Sequence, residues 1–144
     1  MEIINSPVED IYLKYTEENV WKIYFLDELH DLDKNDYRVG LSLLPFLEMG
    51  RENVLKNINN KASIECFPDK LIVDVVFTEA LSIGSSNYWT NLAFQWLVEM
   101  SNYDANLYDA DLYDDYLRKI AFNKDYGQKL RHSILKFLKK RSYK

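Results

Sequence analysis

Tyrosine and aspartate are interleaved through the segment from Tyr103 to Leu117, which repeats the pattern Tyr-Asp-x-x-Leu three times. From Glu99 to Asp115 there are six carboxylates and no lysine or arginine. Tyrosines supply stiff contact area and carboxylates attract cations from a distance, so this mixture is typical of a surface that binds a positively charged partner. The residues that we expect to make this contact are Tyr103, Asp104, Tyr108, Asp109, Asp111, Asp114 and Asp115.

A second acidic stretch covers residues 27–36, and its candidate contact residues are Asp27, Asp31 and Asp33. His30 stands three residues after Asp27, a spacing that puts both side chains and Asp31 on one face of a helix. Such a face can hold a metal ion, but two carboxylates and one imidazole are too few for a closed site. The sequence therefore favours a surface histidine beside acids, and it predicts neither a metal nor another cofactor.

Cys66 is the single cysteine and the one candidate thiol nucleophile. A thiolate needs a base, and the two histidines, His30 and His132, are both predicted on helices beside charged residues. We interpret Cys66 as a small buried hydrophobe. The sequence also contains no G-x-S-x-G, P-loop or G-x-G-x-x-G pattern, so it predicts a protein without enzymatic activity.

Charge is sorted along the chain. Residues 1–117 hold 22 Asp and Glu against 8 Lys and Arg, a net charge of −14, whereas residues 118–144 hold 10 Lys and Arg against one acid, a net charge of +9. An acidic body repels phosphates, which disfavours general binding to nucleic acid. The asymmetry favours a basic protein partner or contact between the tail and the body of the same chain. An alternative is a helical scaffold or adaptor whose basic C-terminal helix binds nucleic acid or another protein.

The composition is that of one folded domain, residues 1–144. Hydrophobic residues make up 47% and aromatic residues 15% of the chain, enough to build a core. A single cysteine excludes an internal disulfide and favours a reducing compartment. No apolar span of membrane length and no leader-like N-terminus is visible, so we expect a cytoplasmic protein that does not enter a membrane.

Four glycines and three prolines leave little punctuation, which predicts an all-α fold. The arrangement is a compact bundle or a short stack of antiparallel helical hairpins of the HEAT type. Pro45 should kink or split its helix, and Gly50, Ser86 and Asp109 are the expected caps. The predicted helices cover residues 7–13, 16–32, 36–49, 51–58, 68–83 and 87–101, residues from 110 onward, and residues 126–141.

Residues 62–77 fit two structures. The β-branched residues from Leu71 to Phe77 fit a small β-hairpin that turns at Phe67-Pro68-Asp69-Lys70. The same residues fit one helix that begins at Pro68, runs to Ile83 and ends at Gly84. That length exceeds a usual strand, so the helix is favoured while the hairpin stays open.

The acidic segment also has a purely structural interpretation. Asp114 and Asp115 each stand four residues before a cation, Arg118 or Lys119, and such pairs support a helix without any partner. The residues from Tyr103 to Asp109 have no such pair and fall in a predicted loop and at the helix cap that ends it, which favours binding. This interpretation requires that their side chains are free of the lysine-rich tail of the same molecule.

The segment from Ile83 to Leu117 resembles the immunity proteins of bacterial polymorphic-toxin systems, with those of contact-dependent growth inhibition as the nearest match. The similarity lies in a small, acidic chain that is rich in Tyr and Trp and poor in Cys. The resemblance implies a non-enzymatic inhibitor that binds a cognate toxin domain, often a basic nuclease, and blocks its active site. Carboxylates that take the place of substrate phosphates would make such binding fast and sensitive to salt.

Overall fold

The N-terminal part of the chain forms an antiparallel β-sheet, so the all-α prediction is wrong. A computed structural model describes residues 2–56, 58–77 and 86–142. Strands β1 (Glu2–Asn5), β2 (Tyr12–Tyr15), β3 (Trp21–Phe25) and β4 (Glu28–Asp31) pair in chain order as a four-stranded meander. The sequence pattern predicts helices over residues 7–13 and 16–32, and these strands and their turns lie there instead.

A period of two in burial explains the sheet. Buried residues alternate with partly exposed ones along β2 and β3, as expected when one face of a sheet packs on a core. The spacing of the apolar residues from Trp21 to Leu32 also fits a helix. The chain instead reverses direction at two turns, where Asn19, Leu26 and Asp27 have positive φ angles. The buried residues of the two strands are Leu13, Tyr15, Trp21, Ile23 and Phe25.

The turn between β3 and β4 holds a strained residue. Phe25 pairs with Glu28, so the turn has two central residues, Leu26 at φ +49° and Asp27 at φ +62°. This is the signature of a type I′ turn, in which Asn and Gly are favoured. In the left-handed region the Cβ of leucine lies too close to the following carbonyl oxygen, which destabilises this conformation. Leu26 is also 73% exposed, so packing of its side chain offsets little of that cost.

We expect Leu26→Asn to raise the free energy of unfolding by about 1 kcal/mol, because asparagine adopts the left-handed conformation readily. Urea denaturation measures the change. Leu29→Asn is the matched control, since Leu29 is exposed on β4 outside the turn, and it should bring no gain in stability. A Leu26→Asn variant no more stable than the wild type would contradict the prediction.

Helices follow the sheet in the described part of the chain, and none of them has the length and apolar character needed to cross a membrane. A 3₁₀ turn, Ala105–Leu107, separates the fifth helix from the sixth. The helices are α1 (Tyr37–Met49), α2 (Arg51–Leu55), α3 (Lys61–Glu65), α4 (Asp69–Phe77), α5 (Asn87–Tyr103), α6 (Ala110–Ala121) and α7 (Gln128–Ser142).

Three predicted helix caps are confirmed. Gly50, at φ +85°, ends α1 and donates its N–H to the carbonyls of Phe46 and Leu47. The side chain of Ser86 accepts from the N–H of Trp89 at the start of α5, and Asp109 accepts from the N–H of Leu112 at the start of α6. The predicted split at Pro45 is absent, because α1 runs through this residue as one helix.

Residues 62–77 contain helical residues on both sides of a short connection at 66–68 and no strand, so the β-hairpin is wrong and the favoured helix is confirmed over Asp69–Phe77. Its predicted continuation through residues 78–83 and its end at Gly84 lie outside the described residues. The two aspartates of α4 differ in burial. Asp69 is buried together with the apolar residues of the helix, whereas Asp74 is half-buried.

The core lies between the inner face of the sheet and the helices, which corrects the predicted HEAT-like stack. Helix α1 contacts both β3 and α4, and α5 contacts α1, α2, α4 and α7. The indole of Trp21 ties the sheet to α3 by donating a 2.8 Å hydrogen bond to the carbonyl of Ser63. Helix α1 thus lies in contact with both the sheet and α4, the helix that carries Asp74.

Candidate functional site

Parts of both acidic stretches meet at one cavity of about 360 Å³ between the start of α1, helix α4 and helix α6. We call it the α4–α6 cleft. Asp36 and Tyr37 contribute from the loop before α1 and its first residue, Asp74 from α4, and Leu112 and Tyr116 from α6. The walls are largely apolar and aromatic, and the carboxylates are few, which is the usual composition of a ligand pocket.

Asp74 is the carboxylate that helix α4 contributes to the α4–α6 cleft. Among the residues that the structure describes, Tyr113 is its hydrogen-bond donor, with 3.1 Å between the hydroxyl and Oδ1. Burial raises the pKa of the Asp74 carboxyl, while this hydrogen bond and the charges of Lys34 and Lys70 oppose the rise. Oδ2 has no hydrogen bond from any described residue, so the carboxylate retains acceptor capacity for a ligand.

The amphipathic pattern of α6 sets the position of the donor. Tyr113 and Leu117 are fully buried on the inner face of α6, and Tyr116 is half-buried beside the cleft. Burial, followed by the negative charge of Asp74, raises the pKa of the Tyr113 hydroxyl. The phenol therefore stays protonated at neutral pH and remains a donor to Asp74.

Three predicted contact residues lie near the α4–α6 cleft. Asp109 caps α6, is exposed, and acts on Asp74 through its negative charge. Asp111 is exposed in the first turn of α6, one residue before Leu112 on the cleft wall. Asp33 is exposed and directly precedes Lys34, which also lines the cleft.

Two predicted contact residues are held by the C-terminal helix. Tyr108 is only 7% exposed, and its hydroxyl donates to Asp114 at 2.6 Å. The guanidinium of Arg141 lies 3.8 Å from the centre of the Tyr108 ring, with its Nε 3.3 Å from Asp114. The expectation that the loop before α6 is free of the tail is therefore wrong at Tyr108, and Asp114 pairs with Arg141 of the tail.

Three further predicted residues of the acidic segment lie outside the lining of the cleft. Tyr103 is 60% exposed, and its ring is 4.7 Å from the guanidinium of Arg51. Asp104 is exposed and caps the 3₁₀ turn. Asp115 forms an exposed 3.1 Å ion pair with Lys119, so for this residue the helix-supporting interpretation describes the structure.

The predicted helical face of Asp27, His30 and Asp31 does not exist, because these residues belong to the β3–β4 hairpin. The ring of His30 stacks on that of Phe25 with 3.9 Å between the ring centres, and Oδ1 of Asp31 is 3.2 Å from Nζ of Lys22. No group of three potential metal ligands is found within the described ranges. Asp27, in the turn, and Asp31, on β4, are exposed and do not line the cleft.

Cys66 is exposed, which corrects its interpretation as a buried hydrophobe. It follows α3, and its Sγ lies 3.1 Å from the carbonyl oxygen of Ala62. Neither Cys66 nor His30 lines the α4–α6 cleft. The oxygen of Asp74 that no described residue occupies can accept a hydrogen bond from a ligand between the apolar walls.

Sequence reasoning missed Asp74, although one signal marks it. Asp74 is the single acid inside the apolar run from Leu71 to Phe77, where a carboxylate needs either a partner or a route to solvent. The contribution of Tyr37 to the same wall had no signal, because it depends on how α1 packs on α4. In comparisons with protein-family models, curated proteins and solved structures, nothing matches this chain.

Proposed function

We propose that this protein is a non-enzymatic immunity protein that binds and neutralises a basic toxin domain in the cytoplasm. The observation that carries the proposal is the α4–α6 cleft, where a half-buried carboxylate, Asp74, lies between apolar walls beside exposed acids. The proposal also draws on the sequence resemblance of the acidic, tyrosine-rich segment to immunity proteins. In this function the cleft and the acids beside it form the toxin-binding surface.

Exposed acids beside the cleft supply attraction at a distance. Asp33, Asp109 and Asp111 are exposed carboxylates near its edge, and Asp104 extends the negative surface along the chain. A negative surface raises the association rate of a basic partner by about 10- to 1,000-fold at low salt. The same carboxylates can occupy the lysines and arginines with which a nuclease holds its substrate phosphates.

Exposed large side chains supply contact area at the same place. Tyr37 is 60% exposed and Leu112 is 39% exposed, and both line the cleft. Leu41, one turn after Tyr37 on α1, is also exposed. Aromatic and aliphatic anchors around a polar centre are the pattern of an interface hot spot, in which a few desolvated residues supply most of the affinity.

We expect charge reversal at Asp104, Asp109 and Asp111 to slow association with the toxin by about 10- to 100-fold at low salt. The probe is the protein encoded by the neighbouring reading frame, and the measurement is stopped-flow association of the purified pair. The difference should disappear near 1 M salt, where the Debye length is about 3 Å. The same triple variant should also fail to restore growth to cells that express the toxin.

The matched control reverses Glu9, Glu17 and Glu18, which are exposed acids in the turns of the sheet. It changes the net charge by the same amount at a different place, so it should slow association only slightly. Equal slowing in both variants would show that net charge alone drives encounter. Unchanged kinetics in the Asp104, Asp109 and Asp111 variant would contradict the proposed function.

The alternative function is a scaffold whose basic helix α7 binds nucleic acid or another protein. Lys136, Lys139 and Lys140 are exposed on α7 and favour it. Arg141 is committed to Asp114 and Tyr108, which removes one cation from that surface. Retention on RNA at physiological salt that is lost when the three lysines become alanine would select this alternative.

A further inference from the structure

The chain shows within its own fold how its aspartates and aromatic rings receive an arginine. The guanidinium of Arg51 is 2.7 Å from Asp69 and 4.7 Å from the ring centre of Tyr103. That of Arg141 is 3.3 Å from Asp114 and 3.8 Å from the ring centre of Tyr108. In each case a carboxylate accepts a hydrogen bond from the guanidinium, which also lies over an aromatic ring.

A third arginine repeats the combination at the edge of the cleft itself. Arg38 makes two hydrogen bonds to Asp36, at 3.2 and 3.1 Å, and lies 5.9 Å from the ring centre of Phe25. The side chains inside the cleft offer the same two components, a carboxylate and tyrosines, without an arginine in its lining. Lys34 lines the cleft and acts on Asp74 through its charge, but it forms no ion pair with Asp74 within 4.0 Å.

We propose that the α4–α6 cleft binds the side chain of one arginine from the basic partner, with Asp74 as the acceptor and Tyr37 and Tyr116 beside the guanidinium. This inference rests on the proposed function, because the arginine belongs to the partner that the proposed function names. It goes further by stating which side chain enters the cleft and which groups receive it.

The size and chemistry of the cleft favour arginine over lysine. A volume of about 360 Å³ is at the small end of ligand pockets, which suits one side chain rather than a whole helix. An ammonium group is strongly hydrated, whereas a guanidinium is weakly hydrated, planar and able to stack on a tyrosine while it donates to a carboxylate. Tyr113 already occupies Oδ1 of Asp74, so the arginine donates to Oδ2.

The test uses three small probes and NMR spectroscopy of the ¹⁵N-labelled protein. The probes are the blocked amino acids N-acetyl-arginine methylamide, its lysine counterpart and its uncharged citrulline counterpart. We expect the arginine probe to shift amide signals of residues 71–75 and 112–116 with a dissociation constant on the order of 1 mM. The lysine probe should bind at least about fivefold more weakly, and the citrulline probe should give no saturable shifts.

Two variants locate the site, and a third serves as the control. Asp74→Asn should abolish saturable binding of the arginine probe, and Tyr37→Ala should weaken it by about 2- to 5-fold. Tyr37 is exposed, so its removal leaves the core intact. Asp115→Asn removes an exposed carboxylate outside the cleft and should leave probe binding unchanged.

The outcomes separate this inference from the proposed function. Equal shifts by the arginine and lysine probes, or shifts that survive Asp74→Asn, would overturn the arginine site. The proposed function would still be tested separately, by the toxin kinetics of the variant with charge reversal at Asp104, Asp109 and Asp111. Selective arginine binding at the cleft together with toxin kinetics unaffected by that reversal would support the arginine site and overturn the toxin-binding surface. Shifts confined to the surroundings of Tyr108 would assign the probe to the Arg141 site and also overturn the inference.

Discussion

We expect Asp69→Ala to lower the free energy of unfolding by about 3–5 kcal/mol, the cost of leaving a buried charge without its partner. Asp69 and Arg51 are 3% and 6% exposed, and the guanidinium donates to both carboxylate oxygens at 2.7 and 3.2 Å. The indole N–H of Trp96 also donates to Asp69 at 2.8 Å. The substitution therefore leaves the guanidinium of Arg51 and the indole N–H of Trp96 in the interior without their acceptor.

Thermal denaturation followed by circular dichroism should register this as a loss of roughly 6–20 °C in Tm, given the usual sensitivity of domains of about 150 residues. The double variant Asp69→Leu with Arg51→Met is the informative control. It removes both charges, so it should be less destabilised than Asp69→Ala alone. A loss below about 1 kcal/mol in Asp69→Ala would show that water reaches Arg51 and that the pair does not hold α2 to α4.

The same cluster shows what local sequence patterns can and cannot predict. Helices α4 to α7 are visible because each carries an apolar period near 3.6, and two of them begin at a cap, Ser86 or Asp109, that acts within one turn. The bond from Arg51 to Asp69 joins residues 18 apart, and that from Trp96 to Asp69 joins residues 27 apart. Nothing local records such pairs, because they depend on how the helices dock.

The sheet is not predicted from the sequence because its apolar residues fit a helical period as well as a strand period. The apolar residues from Trp21 to Leu32 satisfy helical spacing as well as strand alternation, and the turn after Phe25 carries Leu26 where Asn or Gly would have marked a hairpin. The acidic segment was found from composition, but composition does not reveal which of its acids are already occupied. Asp114 is held by Arg141 across 27 residues, whereas Asp111 has no ion pair among those of the described residues.

We expect Asp74→Asn to act in opposite directions on stability and on binding. Burial raises the pKa of Asp74 in the folded protein, which means that ionising this carboxyl opposes folding. Asparagine has no charge to desolvate, and its side-chain oxygen can still accept from Tyr113. At pH 7 the variant should be more stable than the wild type by about 0.5–2 kcal/mol, the range common for stabilising substitutions.

The pH dependence fixes the sign of this effect. A raised carboxyl pKa means that the folded state holds the proton more tightly than the unfolded state. The contribution of Asp74 to stability therefore falls as pH rises from its ordinary pKa of 3.8 to the higher folded-state value, and it is constant above that value. The advantage of Asp74→Asn should be present in urea denaturation at pH 7 and should disappear near pH 3, where the wild-type carboxyl is already neutral.

The affinity of Asp74→Asn for the toxin should fall, although its stability rises. If Asp74 receives a cation of the toxin, removing its charge costs about 2 kcal/mol or more, which is about a 30-fold loss of affinity. The measurement is calorimetric titration of the toxin into both proteins, with Asp115→Asn as the control. A residue that serves only the fold would lose stability and binding together when it is replaced. Gain of stability with loss of affinity would mark Asp74 as a group whose charge the fold tolerates for its ligand, whereas unchanged affinity would remove the cleft from the toxin-binding surface.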